Sequence, residues 1–160
     1  MSVVRDVVGE RGERIVYLRL TDFIPPGEPM FRPHFLGEKY PTLDFLVELV
    51  GATGSLVPYF FVQAKATTQG FTKRPRNLRI QVSEEDVRRL VAYPAPTYII
   101  GIDAAREEGF IIAAITGGPR RVSSLSTRHP LNQATLQLLY DEVLLFWQTN
   151  GASFSSSGLA

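Results

Sequence analysis

The sequence predicts a single α/β or α+β domain built on one central sheet. Three observations carry that expectation. The chain has 160 residues, 44% hydrophobic and 21% charged, which is the size and make-up of one domain with its own core. Helical periodicity marks both ends of the chain, and short apolar runs bounded by turn residues lie between them. The resulting order (helix, strand, strand, helix, strand, strand, helix) is what a sheet with helices packed on it requires.

Taken in order, an N-terminal helix is expected from about Val8 to Leu20, with Ile15, Val16, Leu18 and Leu20 as its apolar side. The proline-rich segment 25–41 (PPGEPMFRPHFLGEKYP) reads as an extended loop. TLDFLVELV at 42–50 and LVPYFFVQAKAT at 56–67 flank the turn residues GATGS and read as a β-hairpin. Ser83 is a good N-cap, followed by Glu84, Glu85 and Asp86 in a first turn that suits acids, so a helix should run to about Val91 and stop before Pro94. PTYIIGID at 96–103 and GFIIAAIT at 109–116 are continuous apolar strands around a charged turn, a pattern that predicts cover on both faces. Residues 130–149 give the strongest helix signal, with Pro130 in the first turn and Leu136, Leu139, Tyr140, Val143, Leu144 and Trp147 at helical spacing. The domain should therefore cover 1–150, and the small polar residues of 151–160 should form a frayed, flexible tail.

Composition excludes several chemistries. Cysteine is absent, which removes disulfides, a thiolate nucleophile, cysteine-bound zinc and iron–sulfur clusters. His34 and His129 lie too far apart for an HExxH metal site. Ser123, Ser124 and Ser126 lack the G-x-S-x-G elbow, and GATGS lacks the lysine of a phosphate-binding loop. No apolar run reaches the roughly 18 residues that span a bilayer, and the first residues are charged, so no membrane association and a cytoplasmic location are expected. The net charge of +1 says little about partners, but Lys73, Arg74, Arg76 and Arg79 crowd into one short segment. Guanidinium groups suit phosphate contacts, so this segment reads either as a nucleic-acid contact or as a solvated loop.

If the hairpin turns near residues 53–54, paired positions sum to about 107, which sets Asp44 opposite Gln63. Strand alternation then puts Gln63 and Lys65 on one face and Ala64 on the other. An acid, an amide and an ammonium would meet at one place, where burial is costly unless they pair or hold a ligand. Asp44 and Lys65 also read as a plain cross-strand ion pair.

An aspartate on one strand followed by Q-x-K on the next resembles the core of the PD-(D/E)xK nuclease superfamily. Within it, the chain is similar to the prokaryotic domain of unknown function 4365, through GERGERIV at 9–16, Asp44, VQAK at 62–65 and PTYIIGID at 96–103. The resemblance implies a restriction-endonuclease-like fold, a mixed central sheet flanked by helices. It also implies an Mg²⁺-dependent (or Mn²⁺-dependent) nuclease, with DNA as the expected substrate and prokaryotic phage or genome defence as the setting. Asp44 would be the central metal ligand, Gln63 would stand where the family usually has glutamate, and the Ala64 carbonyl would be the backbone ligand. Lys65 would act on the attacking water, and Glu13 would be the accessory acid from the first helix, with Glu10 as its competitor. Thr42-Leu43 precedes the aspartate where the family often has a proline. The resemblance also implies a protein partner that supplies target recognition and admits a homodimer. The rival reading is a non-catalytic descendant that binds nucleic acid or a protein.

Overall fold

The computed structural model describes residues 2–24, 27–150 and 155–159. It contains helices α1 (Val3–Leu20), α2 (Glu84–Ala92) and α3 (Gln133–Asn150). Its strands are β1 (Phe23–Ile24), β2 (Glu28–Pro29), β3 (Phe31–Phe35), β4 (Phe45–Leu49), β5 (Tyr59–Thr67), β6 (Thr97–Asp103) and β7 (Glu108–Ala113). β1 and β2 form a small hairpin, and the other five build one mixed sheet in the order β3-β4-β5-β6-β7. All neighbours in that sheet are antiparallel except β5 and β6, which run parallel and are joined through α2. The chain is thus an α+β domain, as the sequence predicts.

Each face of the sheet carries its own core. On one face, Phe45, Val47, Phe60, Val62, Ile100 and Ile102 pack with Ile15, Val16 and Leu20 of α1 and Leu136, Leu139 and Val143 of α3. On the other, Ile99 and Phe110 pack with Val87 and Leu90 of α2 and with Leu78, Ile80, Val122 and Leu125 from two long connections. Phe60 and Phe61 separate onto the two faces accordingly. Ser83 caps α2 by accepting from the Asp86 N–H at 3.1 Å.

The differences from the sequence reading have local causes. The segment 25–41 is not all loop, since residues 31–35 form β3. Leu36 donates to the Asp44 carbonyl and Val50 donates to the Met30 carbonyl, so the even-numbered residues of β3 point at β4. Pro33 therefore points its missing N–H away from the sheet, the arrangement in which an edge strand tolerates proline. α1 begins at Val3 rather than Val8, with Asp6 in its first turn. α3 begins at Gln133 because Asn132 caps it, accepting from the Thr135 N–H at 2.9 Å, while Pro130 bridges to Phe110. β6 is buried throughout, as its apolar run predicts, but β7 is the last strand and exposes Glu108 and Ala113. Within the tail, residues 151–154 and 160 lie outside the described residues, and 155–159 are exposed.

The helix α1 lies directly against the sheet at Gly12. A Cβ placed there would stand 2.5 Å from the Ala66 Cβ, so the helix passes over β5 with no room for a methyl group. Gly12→Ala gains roughly 1 kcal/mol of helix propensity but forces two backbones apart, at a typical cost of about 1–3 kcal/mol. We expect net destabilisation in urea titrations, with Ala66→Gly restoring part of the loss in the double variant.

Candidate active site

Two features of the hairpin decide where Asp44 stands. The expected register holds over β4 and β5, where Phe45 pairs with Val62 and Glu48 with Tyr59. At Asp44 it breaks. The Asp44 N–H also donates to the Val62 carbonyl, at 2.9 Å, so Asp44 and Phe45 both oppose Val62, as in a β-bulge. Asp44 is therefore not opposite Gln63, and β4 is shorter than the expected 42–50. Thr42, two residues earlier, holds φ of 72°, a left-handed conformation that costs a β-branched residue about 1–3 kcal/mol.

The bulge turns the aspartate side chain onto the margin of β5 that β4 has left. Its Oδ2 accepts from the Ala64 N–H at 2.7 Å, in the position a strand carbonyl would otherwise fill. In an extended strand the carbonyl of a residue points to the same side as its N–H, so the Ala64 carbonyl is directed at this margin too. Ala64 and Ala66 side chains pack toward α1, and by alternation Gln63 and Lys65 take the opposite face, as expected.

Asp44 is coupled by charge to Lys65 and to Glu13. Burial raises its pKa, and the Ala64 N–H and the Lys65 ammonium pull against that rise. Burial likewise raises Glu13, followed by the charge of Asp44 and then those of Glu10 and Glu38. Glu13 is half-buried beside Gly12, whereas Glu10 is exposed. Asp44 and Lys65 form no ion pair among the described residues, so the plain cross-strand pair is not realised.

Gln63 is only 5% exposed, and its Oε1 has no hydrogen-bond partner among the described residues. An unsatisfied buried acceptor costs roughly 1–3 kcal/mol and calls for an explanation such as an ion or a water. Among the described residues no three His, Cys, Asp or Glu side chains form a metal-holding group. The candidate donors are the Asp44 carboxylate with the Ala64 carbonyl at the margin, the Glu13 carboxylate from α1, and the Gln63 amide oxygen from the opposite face of β5. That all-oxygen set fits Mg²⁺, which commonly takes one or two carboxylates and keeps several waters.

The basic segment divides. Lys73 and Arg76 line a cleft beyond the end of β5, while the exposed Arg74 does not, and the Arg79 Nε donates to the Phe71 carbonyl at 3.2 Å. His34 faces Glu48 at 3.3 Å, and His129 precedes α3 with its carbonyl bonded to the Ile111 N–H, so neither joins the site. Asp103 serves the β6–β7 turn, accepting from the N–H groups of Ala105 and Arg106. Two local features were not expected from the sequence. Thr42 has a buried Oγ1 without a partner among the described residues, and Arg106 joins Lys73 and Arg76 in the cleft. No pattern marks Thr42, whereas the charged turn that holds Arg106 was visible but had no known neighbour.

Comparison with known proteins yields no matching family model, no similar curated protein and no similar solved structure.

A raised carboxylate pKa means that the folded state disfavours the charge. Asp44→Asn should therefore stabilise the protein in EDTA, by about 2–4 °C in Tm per kcal/mol gained. The advantage should shrink as pH falls, because protonated Asp44 contributes fully at low pH and that contribution is lost as pH rises through the folded pKa. Thermal melts of both proteins across pH 3–8 check the sign.

Proposed function

We propose that this chain is an Mg²⁺-dependent nuclease, with Mn²⁺ as substitute and DNA as substrate, of the PD-(D/E)xK type that its D…QxK motif resembles. The observation that carries this reading is the margin of β5, where Asp44 accepts from the Ala64 N–H, with the Lys65 ammonium favouring its charge and Asp44 in turn disfavouring that of Glu13. Asp44, Glu13, the Ala64 carbonyl and Gln63 Oε1 would hold the metal. When bound, the ion supplies an acidified water and neutralises charge on the scissile phosphate. Lys65 acts from the same strand. Its ammonium orients the attacking water and stabilises the negative charge that builds on phosphorus oxygens. Asp44 holds its orientation through the Ala64 N–H, and its other oxygen, without a hydrogen-bond partner among the described residues, is available to a ligand. The resemblance further suggests an enzyme of prokaryotic defence working beside a partner that recognises the target, and the charged, span-free sequence suits the cytoplasm. No helix among the described residues is long and apolar enough to cross a membrane.

A second reading, a nuclease-fold subunit that binds without cutting, draws on Gln63. A neutral amide in place of a glutamate leaves the metal one charge poorer, and no third acid compensates among the described residues.

The deciding experiment is cleavage of single- and double-stranded DNA with Mg²⁺ or Mn²⁺. Lys65→Ala should lose about 100-fold or more in rate. Its DNA binding should change little, because one cation among seventeen Lys and Arg residues carries a small share of phosphate attraction. Gln63→Glu should tighten Mg²⁺ binding in calorimetry. Near-wild-type cleavage by Lys65→Ala would remove the lysine from the chemistry, and DNA binding without cleavage by the wild type would decide for the second reading.

A further inference from the structure

A polar cleft of about 440 Å³ opens directly beyond the parallel pair β5–β6, whose register ends at Thr67 and Asp103. The carboxyl ends of parallel strands are where sheets of this kind present ligand crevices, because both chains turn away there. Gln69, Gly70 and Phe71 form one wall, and Ala105 and Arg106 of the β6–β7 turn form the other. Lys73, Arg76 and Arg106 bring three cations to the cleft against the single carboxylate of Asp103, one oxygen of which already accepts from the Ala105 and Arg106 N–H groups.

Among the described residues, the cleft cations have no acid partner to neutralise them. Arg11, Arg19, Arg88, Arg89 and Arg120 each sit within ion-pair distance of an acid, and none of the three cleft cations does so among the described residues. Two of them are also pre-positioned. The Arg76 guanidinium lies 3.8 Å from the centroid of the Phe71 ring, and that of Arg106 lies 5.7 Å from it. Stacking fixes the plane of a guanidinium while leaving its N–H edge free, the geometry that a phosphate takes in a bidentate contact. Phe71 is in turn anchored edge-on against Phe110. Without a counter-ion, this concentration of unpaired positive charge in a concave site is unfavourable, and an anion relieves it.

We infer that the cleft is a phosphate-binding site, with Lys73, Arg76 and Arg106 as its ligands and a phosphodiester of a nucleic-acid strand as its occupant. As a nucleic-acid site it rests on the nuclease reading. Lys65 stands two residues before Thr67 on the same strand, about 7 Å away at the usual rise. A strand crossing the margin of β5 therefore continues into the cleft, which grips the backbone beside the cut without reading its bases.

The test uses the full chain carrying Lys65→Ala, in EDTA, so that cleavage plays no part. Binding of a fluorescent oligonucleotide, single- or double-stranded, is followed by anisotropy at several salt concentrations, and pyrophosphate is titrated separately by calorimetry. Adding Arg106→Ala or Arg76→Ala should weaken oligonucleotide binding about tenfold and lower the salt slope by roughly 0.7–0.9 per lost contact. Arg106→Lys should recover part of the affinity. Arg121→Ala, an exposed cation outside the cleft, should change neither quantity. Circular dichroism confirms that each variant is folded. Oligonucleotide binding with unchanged affinity and slope in the Arg106 and Arg76 variants would overturn the proposal, as would failure of both probes to bind. Pyrophosphate binding that is lost with Arg106→Ala, with no oligonucleotide binding at all, would uphold the phosphate site. It would also replace the nucleic acid with a free phosphate or nucleotide, and the nuclease reading would then fail separately.

Discussion

The arrangement at this site depends on one steric constraint, the contact of Gly12 with Ala66. Because neither residue projects more than a methyl group, α1 settles directly onto β5 instead of riding above it. Ile15, Val16 and Leu20 then reach the sheet core, each contributing roughly 1.5–3 kcal/mol by burial. The same approach fixes the height of Glu13, the next residue along the helix. A larger side chain at either position would lift the helix and carry Glu13 away from the margin of β5, so packing and site geometry share one cause.

Around that contact the chain tolerates arrangements a purely structural domain avoids. Asp44 is held partly buried against its own preference for water, Glu13 is brought toward it, and Gln63 Oε1 is left without a partner among the described residues. Thr42 takes a backbone conformation ill-suited to its branched side chain. These features lie on both sides of the bulge where β4 leaves β5. The two apolar cores flanking the sheet supply the stability against which such local costs are carried. Concentrated strain and unsatisfied polarity of this kind are associated with ligand sites.

Much of this was legible in the sequence because it depended on short-range rules. The Ser83 cap, the fully buried run of β6 and the hairpin register through Phe45 and Val62 all follow from local spacing. What was illegible depended on partners distant in sequence. Pro33 marks a loop until β4 is known to lie on only one side of it. Pro130 suits a helix start until Asn132 provides a better cap and Phe110 claims the proline. The slip at Asp44 is a choice between two hydrogen-bond patterns, and neither leaves a mark in composition. Arg106 could be assigned no role until β5 and β6 were known to end side by side. The clustering of Asp44 with Glu13 and Lys65 was reachable from the motif, whereas the position of Asp44 at the strand margin was not.

Pro33 has a consequence for how molecules of this protein can meet. An exposed sheet edge offers a row of amide donors to any extended chain, the usual route to runaway strand addition. On β3 the middle outward position lacks its donor, so an incoming strand would find the ladder interrupted halfway. At the opposite edge, the Ile111 N–H is already bonded to His129, and the Gly109 carbonyl accepts from Leu131. Both edges of the five-stranded sheet are thus interrupted midway, one by a missing hydrogen and the other by its own chain, which disfavours the addition of a further strand along their length.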